Sequence, residues 1–151
     1  IGPSNIFRLK FVHVVANRYL KENVINEIFI RSSNDVIQYL THHLRDKNRE
    51  AFLIIYLNGR NQIIEIEQLF EGTLTSSAVY SREVIKKVLE KDAASIILVH
   101  NHPSGNPNPS KEDQNITKKL KNACNTIDVT VHDHIIIAGN QHTSFVERGL
   151  I

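Results

Sequence analysis

The chain has 151 residues, 41% of them hydrophobic and 23% charged, which suits one α/β domain with a sizeable core. Eighteen basic residues against 16 acidic leave a net charge of +2, too small for the global field to recruit nucleic acid, so any DNA contact would need a local patch. No apolar stretch reaches the roughly 20 residues that cross a bilayer, and no charged-then-apolar leader opens the sequence. The expectation is a soluble, cytoplasmic protein with no membrane partner. Cys124 is the single cysteine, which excludes an intrachain disulfide, and its place in a helical stretch predicts a buried thiol in preference to a nucleophile.

In chain order, residues 1–22 carry apolar positions Ile6, Leu9, Phe11, Val12, Val15 and Leu20 at a spacing that suits an amphipathic helix beginning after Pro3 and Ser4. Residues 23–31 read as a short extended segment or linker. Ser32 or Ser33 then caps a helix to about Asp46, with Val36, Ile37, Leu40 and Leu44 as its stripe. His42 and His43 sit side by side on it and splay about 100° apart, so they cannot converge on one ion and should be solvated. Residues 51–57 form a continuous apolar run, expected to be a strand buried on both faces. Asn58-Gly59 makes a hairpin turn into an alternating strand over 62–70, whose Glu65 and Glu67 should face solvent. Ser81 caps a helix bearing Val84, Ile85, Val88 and Leu89, and residues 95–99 are the next strand. A helix from Ser110 to about Asn125 turns Ile116, Leu120 and Cys124 inward and Lys118, Lys119 and Lys121 outward as a solvated surface. Residues 129–138 and 143–146 are the last strands, separated by a turn at Gly139-Asn140. The order predicts an α/β fold, a three-layer-like sandwich around a mixed sheet.

The informative stretch is His100 to Asp113, HNHPSGNPNPSKED. Residues two apart on a strand point to one face, so His100 and His102 can offer two imidazole nitrogens to one ion at the strand's end. Gly105 and the prolines 103, 107 and 109 force a rigid loop that turns the chain back. Ser110 then stands where a helix N-cap belongs, and Asp113 lies in the first helical turn, from which its carboxylate can reach the strand end as a third ligand. Two imidazoles and a carboxylate leave one tetrahedral position on Zn²⁺ for water, the pattern of a catalytic site. A capping box Ser110-x-x-Asp113 beside two loop histidines would explain the second half of the stretch and leave the histidine spacing unexplained.

The pattern H-x-H-x7-S-x2-D, filled by His100, His102, Ser110 and Asp113, resembles that of the JAB/MPN (JAMM) metalloproteases, and the full string resembles their bacterial branch, the RadC-like DNA-repair proteins. The resemblance implies a cytidine-deaminase-like JAB/MPN fold over residues 23–151, zinc as cofactor, and hydrolysis of a peptide or isopeptide bond in an unknown protein or peptide. It also implies that residues 1–22 are the tail of a truncated helix-hairpin-helix module through which the longer protein could reach DNA; a plain N-terminal helix packing on the domain is the alternative on physical grounds. Family members place a general-base glutamate at the start of an early strand preceded by a helix, and Glu50 occupies that position here. Independently, a charged residue opening an apolar strand must find solvent or a polar partner. For Ser110, helix capping and donation to an oxyanion are both open on physical grounds, and the resemblance assigns the second.

His132 and His134 form a second H-x-H. It lacks a third ligand at a defined spacing, and Asp133 between them points to the opposite face. The Asp133-His134 segment also resembles the RadC-like branch, where it would lie near the metal, orienting a ligand or touching substrate. Two other functions compete: a DNA-repair or recombination accessory module using the zinc fold as a scaffold, and a metal-dependent nuclease. The nuclease ranks lower because hydrolytic nucleases often bridge two metals with carboxylates, and Asp113 is the one convincing carboxylate ligand. Deaminase chemistry ranks lower still, lacking a P-C-x-x-C element. The sequence leaves the oligomeric state open.

Overall fold

A seven-residue apolar run has nowhere to put an outward face, and in the computed structural model every residue of β1 (Ala51–Leu57) is buried. The structure describes residues 2–75 and 77–151; Ile1, the first residue of the expected 1–22 module, lies outside them. Around β1 stand α1 (Pro3–Glu22), α2 (Phe29–Leu44), β2 (Ile63–Glu71), α3 (Ser81–Glu90), β3 (Ser95–Asn101), α4 (Lys111–Asn125), β4 (Thr130–Ala138) and β5 (Gln141–Ser144). The sheet order is β2-β1-β3-β4-β5. β3 and β4 run parallel, with α4 as their crossover, while the other neighbours are antiparallel.

Strand alternation splits the core in two. Leu53, Ile55, Ile97, Val99, Ile135 and Ile137 pack on Val36, Leu40 and Leu44 of α2. On the opposite face, Phe52, Ile54, Ile96 and Leu98 meet α3 through Val84 and Val88, and α4 through Ile116, Leu120 and Cys124. The expected mixed-sheet α/β sandwich is the observed architecture.

Several local expectations differ. α2 begins at Phe29, inside the segment expected to be extended, with Ile28 as an N-cap that offers no side-chain bond. Ser32 is no cap; its hydroxyl donates back to the Ile28 carbonyl at 2.8 Å. Ser81 likewise opens α3 without capping it, since Tyr80 is the N-cap. β5 lies two residues earlier than expected because Asp133 takes the backbone N–H of Val146 away from the ladder.

α1 is a helix, but none of its residues is fully buried, and Phe7, Phe11, Val12 and Val15 are exposed. It touches the body near its C-terminal end, and this removes His42 and His43 from the solvent expected for them. His42 stacks on His13 with ring centroids 4.6 Å apart, and His43 stacks on Tyr39. Burial, with Lys47 nearby, pushes the His43 imidazole down to about 4. Glu65 and Glu67 are also half-buried: Glu65 pairs with Lys21 at 2.8 Å, and Glu67 faces Lys87 and Lys91 across the exposed edge of β2. Lys119 is not simply solvated, because its ammonium donates to the Val79 carbonyl at 2.9 Å. Cys124 is buried as expected, and burial raises its thiol to about 11.

Asn101 ties this framework to the mouth of the sheet. The β1/β3 ladder ends at Phe52 opposite His100. Beyond it, the buried Asn101 side chain accepts from the Ala51 amide at 2.6 Å and donates to the Arg49 carbonyl at 3.1 Å, clamping both neighbours of Glu50. Replacing Asn101 with Ala leaves the buried Ala51 N–H without its partner, so Asn101→Ala should lose about 1 to 3 kcal/mol of stability in urea unfolding. A loss below about 0.5 kcal/mol would mean that the clamp carries no weight.

Candidate metal centre

The C-terminal end of β3 and the N-terminus of α4 meet where the connecting loop brings the chain back. His100 is the penultimate residue of β3 and fully buried; His102 lies just past the strand, half-buried, its backbone N–H bonded to the Ile137 carbonyl at 2.8 Å. Gly105 permits the turn that follows, with φ at +81° and its N–H bonded to the His102 carbonyl. Ser110 caps α4 in a full capping box: its hydroxyl accepts from the Asp113 amide at 3.0 Å, while its own amide donates to Asp113 Oδ2 at 2.7 Å. The box therefore fixes the Asp113 carboxylate as well as the helix end.

From these supports three side chains converge. His100 Nε2 is 3.0 Å from Asp113 Oδ1, His102 Nε2 is 3.1 Å from Asp113 Oδ2, and the two Nε2 atoms are 2.9 Å apart. His102 Nδ1 lies 2.8 Å from the Asn106 carbonyl, which can only accept, so Nδ1 carries the proton and a neutral His102 turns a bare Nε2 lone pair inward. Electron-rich atoms so close require a positive charge among them. A proton lies along one line between two atoms, whereas a tetrahedral ion takes a lone pair from each of the three residues. The donor set thus fits a metal cation, and among the described residues it is the one group of three or more His, Cys, Asp or Glu side chains placed to hold one.

The electrostatics agree. Burial pushes His100 below its ordinary value and, with His100 beside it, holds His134 well below. The contact with Asp113 raises His102. Burial alone would raise Asp113, but the two imidazoles and the Ser110 amide outweigh it and hold the carboxyl far below the usual carboxylate range.

The site forms one wall of an open cleft of about 560 Å³, lined also by Glu50, Arg49, Ser110, Asn106 and the 72–74 segment. Glu50 is half-buried at the rim; its carboxylate accepts from the Leu74 amide and its carbonyl from the Gly72 amide. The strand-end glutamate thus has the polar partner its position demanded and shares a cleft with His102, Ser110 and Asp113.

The sequence profile of the RadC-like JAB domain matches residues 30–150. The chain is also 42% identical over all 151 residues to a UPF0758 protein of Pseudoalteromonas translucida, and 41% identical to one of Aliivibrio fischeri, covering 67% of each relative's length. It belongs to the RadC-like JAB domain family. The family boundary leaves α1 outside the match.

Within this RadC-like JAB domain the second H-x-H does not act as a pair. Ile96 pairs with Val131 and Ile97 with Asp133, so His132 is the extra residue of a β-bulge. His132 is exposed while His134 is fully buried, its Nε2 2.7 Å from His100 Nδ1. Asp133 faces away, accepting from the Ser144 hydroxyl and the Val146 amide. Asn101 and Thr117 are the residues that sequence reasoning missed. Asn101 stands between the two histidines and so on the opposite face, and Thr117 lies one helical turn beyond Asp113, a spacing that could have singled it out.

Zinc content of purified protein should be one ion per chain and should fall to a small fraction of that in His100→Ala. His132→Ala, changing an exposed bulge residue, should retain it. Full zinc in His100→Ala, or its loss in His132→Ala, would relocate the site.

Proposed function

We propose that this domain is a zinc-dependent hydrolase that cleaves a peptide or isopeptide amide bond. The observation carrying the proposal is that His102 and Asp113 of the His100–His102–Asp113 set line the same cleft as Glu50 and Ser110. Three protein ligands leave a tetrahedral ion one open position, and zinc bound there would supply Lewis-acid activation of water and carbonyl oxygen.

The chain's own groups supply the rest. Glu50 is the general base: it takes a proton from the attacking water and gives it to the leaving amine. The Leu74 N–H holds its carboxylate in place, and the Asn101 clamp on Arg49 and Ala51 holds its backbone. The two readings of Ser110 are compatible. As a cap its hydroxyl accepts from Asp113 N, which leaves the hydroxyl proton free to donate to the oxyanion that forms on the substrate carbonyl. Arg49 is the one Lys or Arg side chain lining the cleft among the described residues, thin provision for a polyanionic backbone, and this favours an amide over a phosphodiester.

Glu50→Gln keeps shape and zinc while removing the base. On an isopeptide- or amide-linked peptide that the wild type cleaves, the rate should fall about 10² to 10⁴-fold with zinc stoichiometry unchanged. Near wild-type turnover would refute the base assignment, and loss of zinc would make Glu50 a ligand.

A further inference from the structure

His134 is fully buried and belongs to neither the ligand set nor the cleft lining, yet each of its ring nitrogens has a close partner. On one side, Thr117 Oγ1 lies 2.6 Å from His134 Nδ1 and 2.7 Å from the main-chain carbonyl oxygen of Asp113. A carbonyl only accepts, so the single hydroxyl proton of Thr117 points at Asp113, and the hydroxyl lone pair must meet a donor. His134 therefore carries its proton on Nδ1, and its Nε2 is a bare lone pair. That lone pair faces His100 Nδ1 at 2.7 Å, so His100 in turn must be protonated on Nδ1. The lone pair of His100 is left on Nε2, the atom that faces His102 and Asp113.

We infer that Thr117 and His134 are positioning residues, a two-member relay that fixes His100 in the tautomer whose Nε2 can ligate a cation. The relay starts at the carbonyl of Asp113, whose carboxylate lies opposite His100 Nε2, so one residue of α4 sets both the carboxylate and, through Thr117 and His134, the tautomer facing it. Phe145 stacks on the His134 ring with centroids 4.6 Å apart, and Phe52 meets it edge-on at 6.4 Å, which holds the ring plane in line with both partners. With Thr117 unable to accept, His134 is free to move its proton to Nε2. Two N–H groups would then face each other unless His100 moved its own proton to Nε2, into the ligand cluster. Groups that orient a metal-bound histidine typically carry about 10- to 100-fold in metal affinity. This relay rests on the zinc reading above for its use, though not for its existence.

Two measurements on Thr117→Val and Thr117→Ser test it: the ring ¹⁵N shifts of His100 and His134 in metal-free protein, and the zinc dissociation constant by chelator competition. The wild type and Thr117→Ser should show both rings protonated on Nδ1 and should bind zinc within about threefold of each other. In Thr117→Val, His134 should lose its single tautomer and zinc should bind about 10- to 100-fold more weakly. His134→Phe, which keeps an apolar ring between Phe52 and Phe145 and removes the acceptor, should weaken zinc by at least as much and serves if Thr117→Val fails to fold. Wild-type tautomers and affinity in Thr117→Val, or a wild-type His134 protonated on Nε2, would overturn the relay while leaving the zinc site standing. A wild type with the stated tautomers and no zinc affinity would overturn the zinc reading and leave the relay standing.

Discussion

The carboxylate of Asp113 is the point on which the site depends. It occupies the third position of α4, so one of its oxygens closes the capping box with the Ser110 amide while the same group faces both imidazoles. A capping carboxylate is held at the helix N-terminus by hydrogen bonding and by the helix dipole, and both favour its ionised form. The negative charge that would draw a cation between His100 and His102 is thus maintained by helix formation itself. Capping box and ligand set, which look like alternatives in the sequence, are two uses of one side chain.

The sheet supplies the other half. Because β3 is buried on both faces and flanked by β1 and β4, its C-terminal end cannot shift without breaking two ladders, and His100 inherits that rigidity. β3 and β4 are the parallel pair, and the crevice beyond the carboxyl ends of parallel strands is where open α/β sheets place ligands. β1 runs the other way, so its first residues lie beside the last residues of β3, and this antiparallel pairing brings Glu50 to the same mouth. Asn101 then joins the two ends by side-chain bonds where the backbone ladder stops.

Much of this was legible from pattern. The buried run at 51–57, the hairpin after it, the His100-x-His102 pair and the Ser110 cap follow from local chemistry, because alternation, turn residues and capping act within a few residues. What was not legible depends on contacts distant in the chain. Periodicity made α1 a helix, yet a period says nothing about what a helix packs against, and most of its apolar positions are exposed. His42 and His43 lost their solvent because α1 lies beside them, and Lys119 found a carbonyl forty residues away. The second H-x-H was rightly set aside as a ligand pair, but its two rings do not share a face: two-residue alternation holds only in a regular strand, and the bulge at His132 separates an exposed ring from a buried one. Thr117 stands one helical turn beyond Asp113, a spacing the sequence shows, but its bond to His134 depends on a strand seventeen residues away.

The central claim is that a single zinc ion sits among His100, His102 and Asp113 with one position open to the cleft. Diffraction from zinc-loaded crystals, recorded on both sides of the zinc absorption edge, locates the ion without reference to activity. The account predicts one strong anomalous peak per chain, about 2.0 to 2.2 Å from His100 Nε2, His102 Nε2 and an Asp113 carboxylate oxygen, with Glu50 outside bonding distance. No peak there, or a peak whose coordination is completed by Glu50, would contradict it.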